Sequence, residues 1–272
     1  SWVFRAAYNH SITRPTLEQM APGVTYTTTR QGGDLRARIG NAQLLPFEAK
    51  NIDLAIEHYY QENSYISAGY FRKTADNFIV NESSTQTFNN VTDPSTGTDP
   101  NAVDDADALA QFSVISPSNG ESATVEGVEV AVQHLFGESG WGIQANASFV
   151  DSNAELDTAN IRSTFALTGL SGAKNMVLFY EKNALQWRVA WNQREGFLQS
   201  LNQTQSTEPT FVSPYKQWDM SLSYQFSPRV SVFFEGINIT NETVHKRGRF
   251  SNHLLLVQDA GARYALGVNI TY

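Results

Sequence analysis

The sequence predicts an all-β fold, an antiparallel transmembrane β-barrel, on the basis of three observations. Apolar side chains alternate with polar or small ones through ten segments, as on strands that have one apolar face. Several of these segments are longer than the five or six residues usual in soluble sheets, and they suit the roughly 9–11 residues that a tilted strand needs to cross a bilayer. The connections between them alternate between short and long, which is the layout of an outer-membrane barrel.

The alternation is clearest in the last predicted strand, where Tyr264, Leu266 and Val268 are separated by Ala265 and Gly267. The same period of two recurs from the N-terminus onward, whereas helical spacing of apolar residues is scarce. In chain order, the predicted strands are 1–14, 47–60, 65–80, 122–136, 141–151, 172–180, 185–198, 214–226, 230–240 and 258–272.

Short and long connections alternate strictly along this series. The short ones are predicted turns of three or four residues, namely Gln61–Ser64, Gly137–Gly140, Glu181–Ala184 and Ser227–Arg229. The long ones are 15–46, 81–121, 152–171, 199–213 and 241–257. Antiparallel strands joined in this way place every short turn at one rim and every long loop at the other.

Aromatic residues provide a second indication of a membrane-spanning barrel. They cluster within a residue or two of the short-turn rim, where an interfacial aromatic girdle is expected. The preference of aromatics for strands explains their presence, but not their concentration at one end. The members are Tyr59, Tyr60, Tyr65, Phe136, Trp141, Tyr180, Phe226 and Tyr272.

Composition excludes several classes of protein. The 272 residues contain no cysteine, which removes disulfide scaffolds, Cys-ligated zinc and thiol catalysis. The net charge of −8 argues against nucleic acid as the main partner. The longest apolar run, Met176 to Tyr180, is too short for a membrane-spanning helix, and no signal peptide is expected at the N-terminus. The mean hydropathy of −0.34 resembles that of a soluble protein, because wet strand faces and polar loops dilute the average.

Five motifs, in order, resemble those of TonB-dependent receptors. Residues 5–15 (RAAYNHSITRP) are similar to the family's R-A-x-Y-x-x-x-I-x-R-P strand. Residues 40–54 (GNAQLLPFEAKNIDL) resemble G-N-P-x-L-K-P-x-x-A-x-N-x-D, with Ala42 and Leu45 in place of proline and lysine. Residues 124–129 (TVEGVE), 233–242 (FFEGINITNE) and 261–268 (GARYALGV) resemble the family's x-x-x-G-x-E, N-L-T-N-E/D and last-strand motifs.

This resemblance covers the whole chain and implies the C-terminal ten strands of a 22-stranded barrel. The family's N-terminal plug domain and TonB box are absent from these 272 residues, so residues 1–272 are expected to form the C-terminal portion of the barrel wall. The motif arrangement is closest to receptors linked to carbohydrate uptake. The terminal aromatic residue, Tyr272, then corresponds to the signal that the outer-membrane assembly machinery recognises.

Ionisable residues on the polar strand faces are the first site candidates. In the family, these faces surround the plug, so the residues are expected to face the lumen and seat the plug, or simply to hydrate the interior. They are Arg5, Glu57, Arg188, Arg194, Asp219, Glu235 and Arg263.

Two long loops carry the candidate substrate-binding residues. Aromatic side chains together with amides and basic groups are typical of glycan pockets. Basic residues of these loops also suit contact with lipopolysaccharide phosphates, and simple solvation is the remaining interpretation. The candidates are Phe197, Gln199, Asn202, Phe211, Arg249, Phe250 and His253.

No catalytic residue, metal site or cofactor is predicted. The acidic residues Asp93, Asp99, Asp104, Asp105 and Asp107 lack EF-hand spacing and suit a solvated loop better than a calcium site. The five histidines form no H-E-x-x-H pair, and no G-x-S-x-G occurs.

The sequence therefore predicts an outer-membrane receptor of a Gram-negative bacterium. We expect it to take up a scarce nutrient, a glycan or other large organic substrate, with energy from the TonB complex acting through the plug. The alternatives are a ferric siderophore or cobalamin receptor of the same family, a passive porin, and a soluble β-sandwich binding domain. The expected partners are the TonB complex, the small-molecule or oligosaccharide substrate, outer-membrane lipid and lipopolysaccharide, and the barrel assembly machinery, without nucleic acid.

Overall fold

The computed structural model describes residues 1–26, 35–93, 108–159, 166–201 and 208–271. They form a nearly all-β fold with one short helix, as the alternation predicts. The elements in chain order are β1 (Trp2–Thr13), α1 (Leu17–Met20), β2 (Val24–Tyr26), β3 (Leu35–Ile39), β4 (Phe47–Gln61), β5 (Ser64–Asp76), β6 (Ile79–Thr92), β7 (Leu109–Asn119), β8 (Ala123–Leu135), β9 (Trp141–Ser152), β10 (Ala173–Lys182), β11 (Leu185–Arg194), β12 (Phe197–Ser200), β13 (Thr210–Val212), β14 (Tyr215–Ser227), β15 (Val230–Ile237), β16 (Val244–Arg247), β17 (Leu254–Gln258) and β18 (Arg263–Ile270).

The ten predicted strands are confirmed as one sheet with the order β1-β4-β5-β8-β9-β10-β11-β14-β15-β18. Each strand therefore pairs with the next of the ten predicted strands along the chain. Antiparallel registers are continuous over long stretches, for example from Ala173↔Arg194 to Lys182↔Leu185 between β10 and β11. Two of the short turns are two-residue connections that place Asn63 or Asn183 at positive φ, a conformation that asparagine tolerates.

Three predicted strand boundaries differ from the structure by four residues or more, and two of them have a local cause. The segment 65–80 is two strands, because Asn77 adopts φ +60 and its side chain donates to the Pro46 carbonyl. The segment 185–198 ends at Arg194, and residue 197 begins the separate strand β12. The last strand begins at Arg263 instead of 258, since Gly261 takes φ +71 in a turn and its backbone amide donates to the Asp259 carboxylate.

The described parts of the long connections contain eight further strands that the alternation did not reveal. They form two four-stranded sheets with the orders β12-β13-β16-β17 and β2-β3-β7-β6. The second of these sheets includes one parallel pair, β3 with β7. Ala37, Ala110, Phe112 and Val114 form a buried core there.

Residues of the chain divide into two compact units. One unit holds most of the ten-stranded sheet and the β12-β13-β16-β17 sheet, and the other holds α1 and the β2-β3-β7-β6 sheet. The first comprises Ser1–Asn9, Lys50–Thr74 and Ala123–Tyr272, and the second comprises His10–Ala49 and Ala75–Ser122.

One face of the ten-stranded sheet exposes large apolar side chains. Phe4 and Leu266 are 73% and 76% exposed, and the face continues through Phe226, Tyr264 and Ile270. An apolar surface of this extent on a sheet face is typical of contact with lipid.

Strand β10 marks the height of this apolar face. Its outward side chains at alternate positions are Lys174, Met176, Leu178, Tyr180 and Lys182. The two lysines are eight residues apart, about 27 Å along a strand, which a tilt of 35–45° reduces to about 20 Å across a bilayer. Charged residues thus bracket a band close to the roughly 25 Å expected of an outer-membrane barrel.

Aromatic rings gather at the short-turn rim, as predicted. Trp141 contacts Tyr180 at a centroid distance of 5.1 Å, and Tyr59 contacts Tyr65 at 5.5 Å. Tyr272, which was also predicted for this girdle, lies outside the described residues.

Phenylalanine rings cover glycines of neighbouring strands on the opposite face of the sheet. Phe179 is the cross-strand partner of Gly142, and Phe233 is the partner of Gly267. A Cβ placed on Gly142 would lie 2.6 Å from a Phe179 ring atom, and one on Gly127 would lie 2.6 Å from the Phe71 ring. These close approaches explain why glycine occurs in the middle of strands that otherwise favour larger residues.

None of the helices in the described part of the chain has the length and hydrophobicity required to cross a membrane.

Candidate functional site

A cavity of about 660 Å³ opens among the long connections of the ten-stranded sheet. Its volume lies within the range of typical small-molecule sites. The walls come from the end of β9 with residues 152–158, from residues 167–172, from Glu195 to β12, and from β13 with the end of β16. The lining includes Asp151, Ser152, Glu155, Thr158, Leu167, Ser171, Glu195, Phe197, Leu198, Phe211, Ser213 and Arg247.

Two aromatic rings in this cavity are each covered by a guanidinium group. Arg247 lies 4.4 Å from the centre of the Phe211 ring, and Arg194 lies 4.8 Å from that of Phe197. Such cation–π contacts restrain the rings as well as the cations. The rings are carried by the paired strands β12 and β13, in which Leu198 opposes Phe211.

The polar lining of the cavity is rich in acceptors. Asp151, Glu155 and Glu195 supply three carboxylates, whereas Arg247 supplies one cationic group. Lys174 offsets part of this charge through an ion pair of 3.6 Å with Glu195. The cavity thus presents a surplus of hydrogen-bond acceptors beside two aromatic rings.

Backbone hydrogen bonds connect the segments that form the cavity walls. Gly169 donates to the Leu198 carbonyl at 2.8 Å, and Leu167 donates to Ala154 at 2.9 Å. At the other wall, Ser213 donates to the His245 carbonyl.

A charged cluster around Glu208 joins three of the loops. One carboxylate oxygen of Glu208 accepts hydrogen bonds from the Arg249 backbone amide and, at 3.1 Å, from the His253 ring. The Arg249 guanidinium donates to the carbonyls of Thr158 at 2.9 Å and Asp157 at 3.4 Å. Arg249 is only 6% exposed, so these are interior contacts of the loop assembly.

The Arg249 amide, together with His253, lowers the pKa of Glu208 below its usual value of 4.5, while partial desolvation opposes this effect. Hydrogen bonds donated to a carboxylate stabilise its charged form. Glu208 is therefore ionised at neutral pH.

The structure separates the predicted substrate-binding residues into three groups. Phe197 and Phe211 line the cavity together. Arg249 and His253 instead contact Glu208, and Phe250 is 64% exposed in the same loop. Gln199 is exposed on β12 and does not line the cavity, and Asn202 lies outside the described residues.

The predicted lumen residues occupy the polar face of the sheet. Arg5 and Glu57 form an ion pair, and Arg194 stacks on Phe197. Arg263 opposes Ile237 across the β15–β18 pair. The other three, Arg188, Asp219 and Glu235, line a cavity of about 460 Å³.

Sequence reasoning missed Glu155, Glu208 and the specific position of Arg247. Arg247 belongs to an evident basic cluster, but only the fold shows that it stacks on Phe211. Glu208 follows a polar stretch with no periodic signal. Of the acidic residues considered for calcium, Asp99, Asp104, Asp105 and Asp107 lie outside the described residues, and the described part of the chain holds no cluster of three metal-binding side chains.

The ten-stranded antiparallel sheet, with short turns at one rim and long connections at the other, is that of a partial transmembrane β-barrel. The family model described as "TonB dependent receptor-like, beta-barrel" matches residues 1–239. The chain therefore belongs to the TonB-dependent receptor family. No curated protein sequence matched the chain.

Solved receptors share this fold at low sequence identity. The ferric enterobactin receptor PfeA of Pseudomonas aeruginosa (mutant G324V) has a TM-score of 0.63 and 15% identity, over 100% of this chain and 38% of the receptor. The siderophore receptor PirA from the same organism has a TM-score of 0.53 and 17% identity, over 99% and 39%. FpvA of P. aeruginosa, bound to a heterologous pyoverdine–iron complex, has a TM-score of 0.58 and 12% identity, over 99% and 31%. The chain thus spans about two fifths or less of these receptors.

Proposed function

We propose that this chain forms the C-terminal ten strands of an outer-membrane receptor that imports a scarce nutrient in a Gram-negative bacterium. The family match over residues 1–239 carries the proposal. Strands β1 and β18 terminate the described sheet and expose apolar side chains, which suits pairing with further barrel strands in lipid. The plug and the TonB complex then supply gating and energy, and the assembly machinery recognises Tyr272.

The substrate that best suits the 660 Å³ cavity is a neutral, hydroxyl-rich molecule such as a glycan. Sugar hydroxyls donate to carboxylates, and sugar rings stack on aromatic faces. The cavity offers Asp151, Glu155 and Glu195 as acceptors beside Phe197 and Phe211. An anionic ligand would instead have to overcome repulsion from the surplus of carboxylates.

A ferric siderophore is the second candidate, because the solved receptors with this fold are described as siderophore or ferric enterobactin receptors. The two substrates differ in charge and in their dependence on the acceptor lining. Arg247, which stacks on Phe211, is the cationic group that would favour the siderophore at this site.

Calorimetry on the full-length receptor in detergent separates these candidates. Ferric enterobactin and a panel of neutral oligosaccharides are titrated into the wild type and into Glu155→Gln. We expect an oligosaccharide to bind and Glu155→Gln to weaken it about tenfold, as for loss of one hydrogen bond to a charged group. Binding of ferric enterobactin alone, strengthened by Glu155→Gln, would assign the siderophore function instead.

A further inference from the structure

The wall of the 660 Å³ cavity formed by residues 154–158 is anchored differently at its two ends. Next to β9, Asn153 donates to the Thr124 carbonyl at 3.2 Å, and Ala154 accepts from Leu167. At the far end, the carbonyls of Asp157 and Thr158 accept hydrogen bonds from the buried Arg249 guanidinium. Thr158 itself lines the cavity, so this anchor lies at the ligand-facing surface.

The position of Arg249 depends in turn on Glu208. The Arg249 backbone amide donates to the Glu208 carboxylate, which also accepts from the His253 ring. The Gly248 amide donates to the His253 carbonyl at 2.7 Å. A Cβ on Gly248 would overlap that carboxylate and lie 2.6 Å from His253 Nδ1. A side chain at this position would therefore displace Glu208 or His253.

We infer that Glu208 and Arg249 are positioning residues that hold the 154–158 wall against the 248–253 loop and so fix the shape of the ligand cavity. Neither residue lines the cavity, whereas the 154–158 wall supplies Glu155 and Thr158 to it, and Arg247, which also lines it, directly precedes the 248–253 loop. As a statement about ligand binding, the inference rests on the proposed function; as a statement about loop coupling, it does not.

Hydrogen exchange on the full-length receptor in detergent tests the coupling directly. Arg249→Ala removes the donor and leaves two carbonyls in need of new partners, and Glu208→Ala removes the acceptor that orients the Arg249 backbone. Both variants should accelerate exchange at least tenfold in residues 152–159 and 248–253 together, because each bond to a charged group opposes local opening. Gly248→Ala should reproduce this pattern by displacing Glu208.

Matched variants separate the coupling from general loop damage. Asn252→Ala alters an exposed side chain of the same loop and should leave residues 152–159 at the wild-type rate. Arg249→Lys and Glu208→Gln each keep part of the hydrogen bonding, so their exchange rates should fall between those of the wild type and the alanine variants. These two variants also test the coupling if an alanine variant fails to fold. Faster exchange confined to residues 248–253 in Arg249→Ala and Glu208→Ala would overturn the inference.

Ligand affinity supplies the second readout. The oligosaccharide that binds most tightly in the calorimetric panel should lose about tenfold or more in affinity for Arg249→Ala, but not for Asn252→Ala. Coupled exchange with unchanged affinity would confirm the loop coupling and refute the role in ligand binding. Absence of any oligosaccharide binding to the wild type would count against the proposed substrate, and the exchange data would still decide the coupling.

Discussion

The Asp219 carboxylate accepts a hydrogen bond of 2.8 Å from the backbone amide of Asn238. A side chain predicted only as lumen-facing thus also holds the turn that follows β15. Asn238 adopts φ +54 and is 3% exposed. Its side-chain amide donates to the Glu242 carbonyl and accepts from the Glu242 backbone amide. The N-I-T-N-E motif is therefore a hydrogen-bonded turn.

Replacing Asn238 should destabilise the barrel through this turn. Asn238→Ala removes buried hydrogen bonds and places alanine at positive φ, and we expect a loss of about 2–4 kcal/mol in the free energy of unfolding. Asn238→Gly restores the backbone freedom but not the hydrogen bonds, so it should cost less. Urea unfolding of the lipid-reconstituted receptor measures the loss in unfolding free energy for both variants. Equal losses for Asn238→Ala and Asn238→Gly would show that the φ angle contributes nothing.

Gly127 should tolerate no side chain. A Cβ there would overlap the Phe149 carbonyl and lie 2.6 Å from the Phe71 ring, so Gly127→Ala should cost about 1–3 kcal/mol by overpacking. Gly69→Ala is the matched control, because its Cβ would meet only an ordinary contact of 3.6 Å. The same urea titration compares Gly127→Ala with Gly69→Ala. Equal unfolding midpoints for these two variants would contradict the close packing of Phe71 on Gly127.

The two faces of β10 should respond differently to charge. Leu178→Lys places a cation in the middle of the outward apolar band, where an outer-membrane barrel loses about 2–4 kcal/mol. Val177→Lys, one residue away, points into the cavity that Asp219 and Glu235 line, and should cost far less. Unfolding from phospholipid vesicles measures the difference, and a larger loss for Val177→Lys would reverse the assignment of the faces.

The Glu208 cluster should weaken in acid. Because the pKa of Glu208 is lowered in the folded state, its charge contributes stability above its usual value of 4.5, and this contribution is lost as the pH falls through the folded-state pKa. The melting temperature of the wild type should therefore exceed that of Glu208→Gln near pH 7, begin to approach it below pH 4.5, and meet it once the pH lies below the folded-state pKa. A difference that persisted unchanged into acid would exclude the carboxylate charge as its source.

Alternation predicted the ten-stranded sheet because each of its strands separates an apolar face from a polar one. Tyr264, Leu266 and Val268 show the period directly, and their exposure agrees with it. The strand breaks at Asn77 and Gly261 depend on backbone φ values and side-chain hydrogen bonds, which the apolar pattern does not encode.

The candidate site was less predictable, since it depends on contacts between distant segments. Phe197 and Phe211 were expected from their residue type and their place beside or within a long loop, and the fold brings both to the cavity. Arg249 had the same basic character as Arg247, yet one is held by loop carbonyls and the other stacks on Phe211. Burial, which the sequence does not display, decides between the two roles.

Transport in cells shows whether uptake by this receptor is energised. Cells that produce the full-length receptor take up the labelled ligand identified by calorimetry, with and without a functional TonB complex. We predict that uptake ceases without TonB while binding at the cell surface remains. Uptake that continues at the same rate without TonB would exclude energised transport and identify a passive porin.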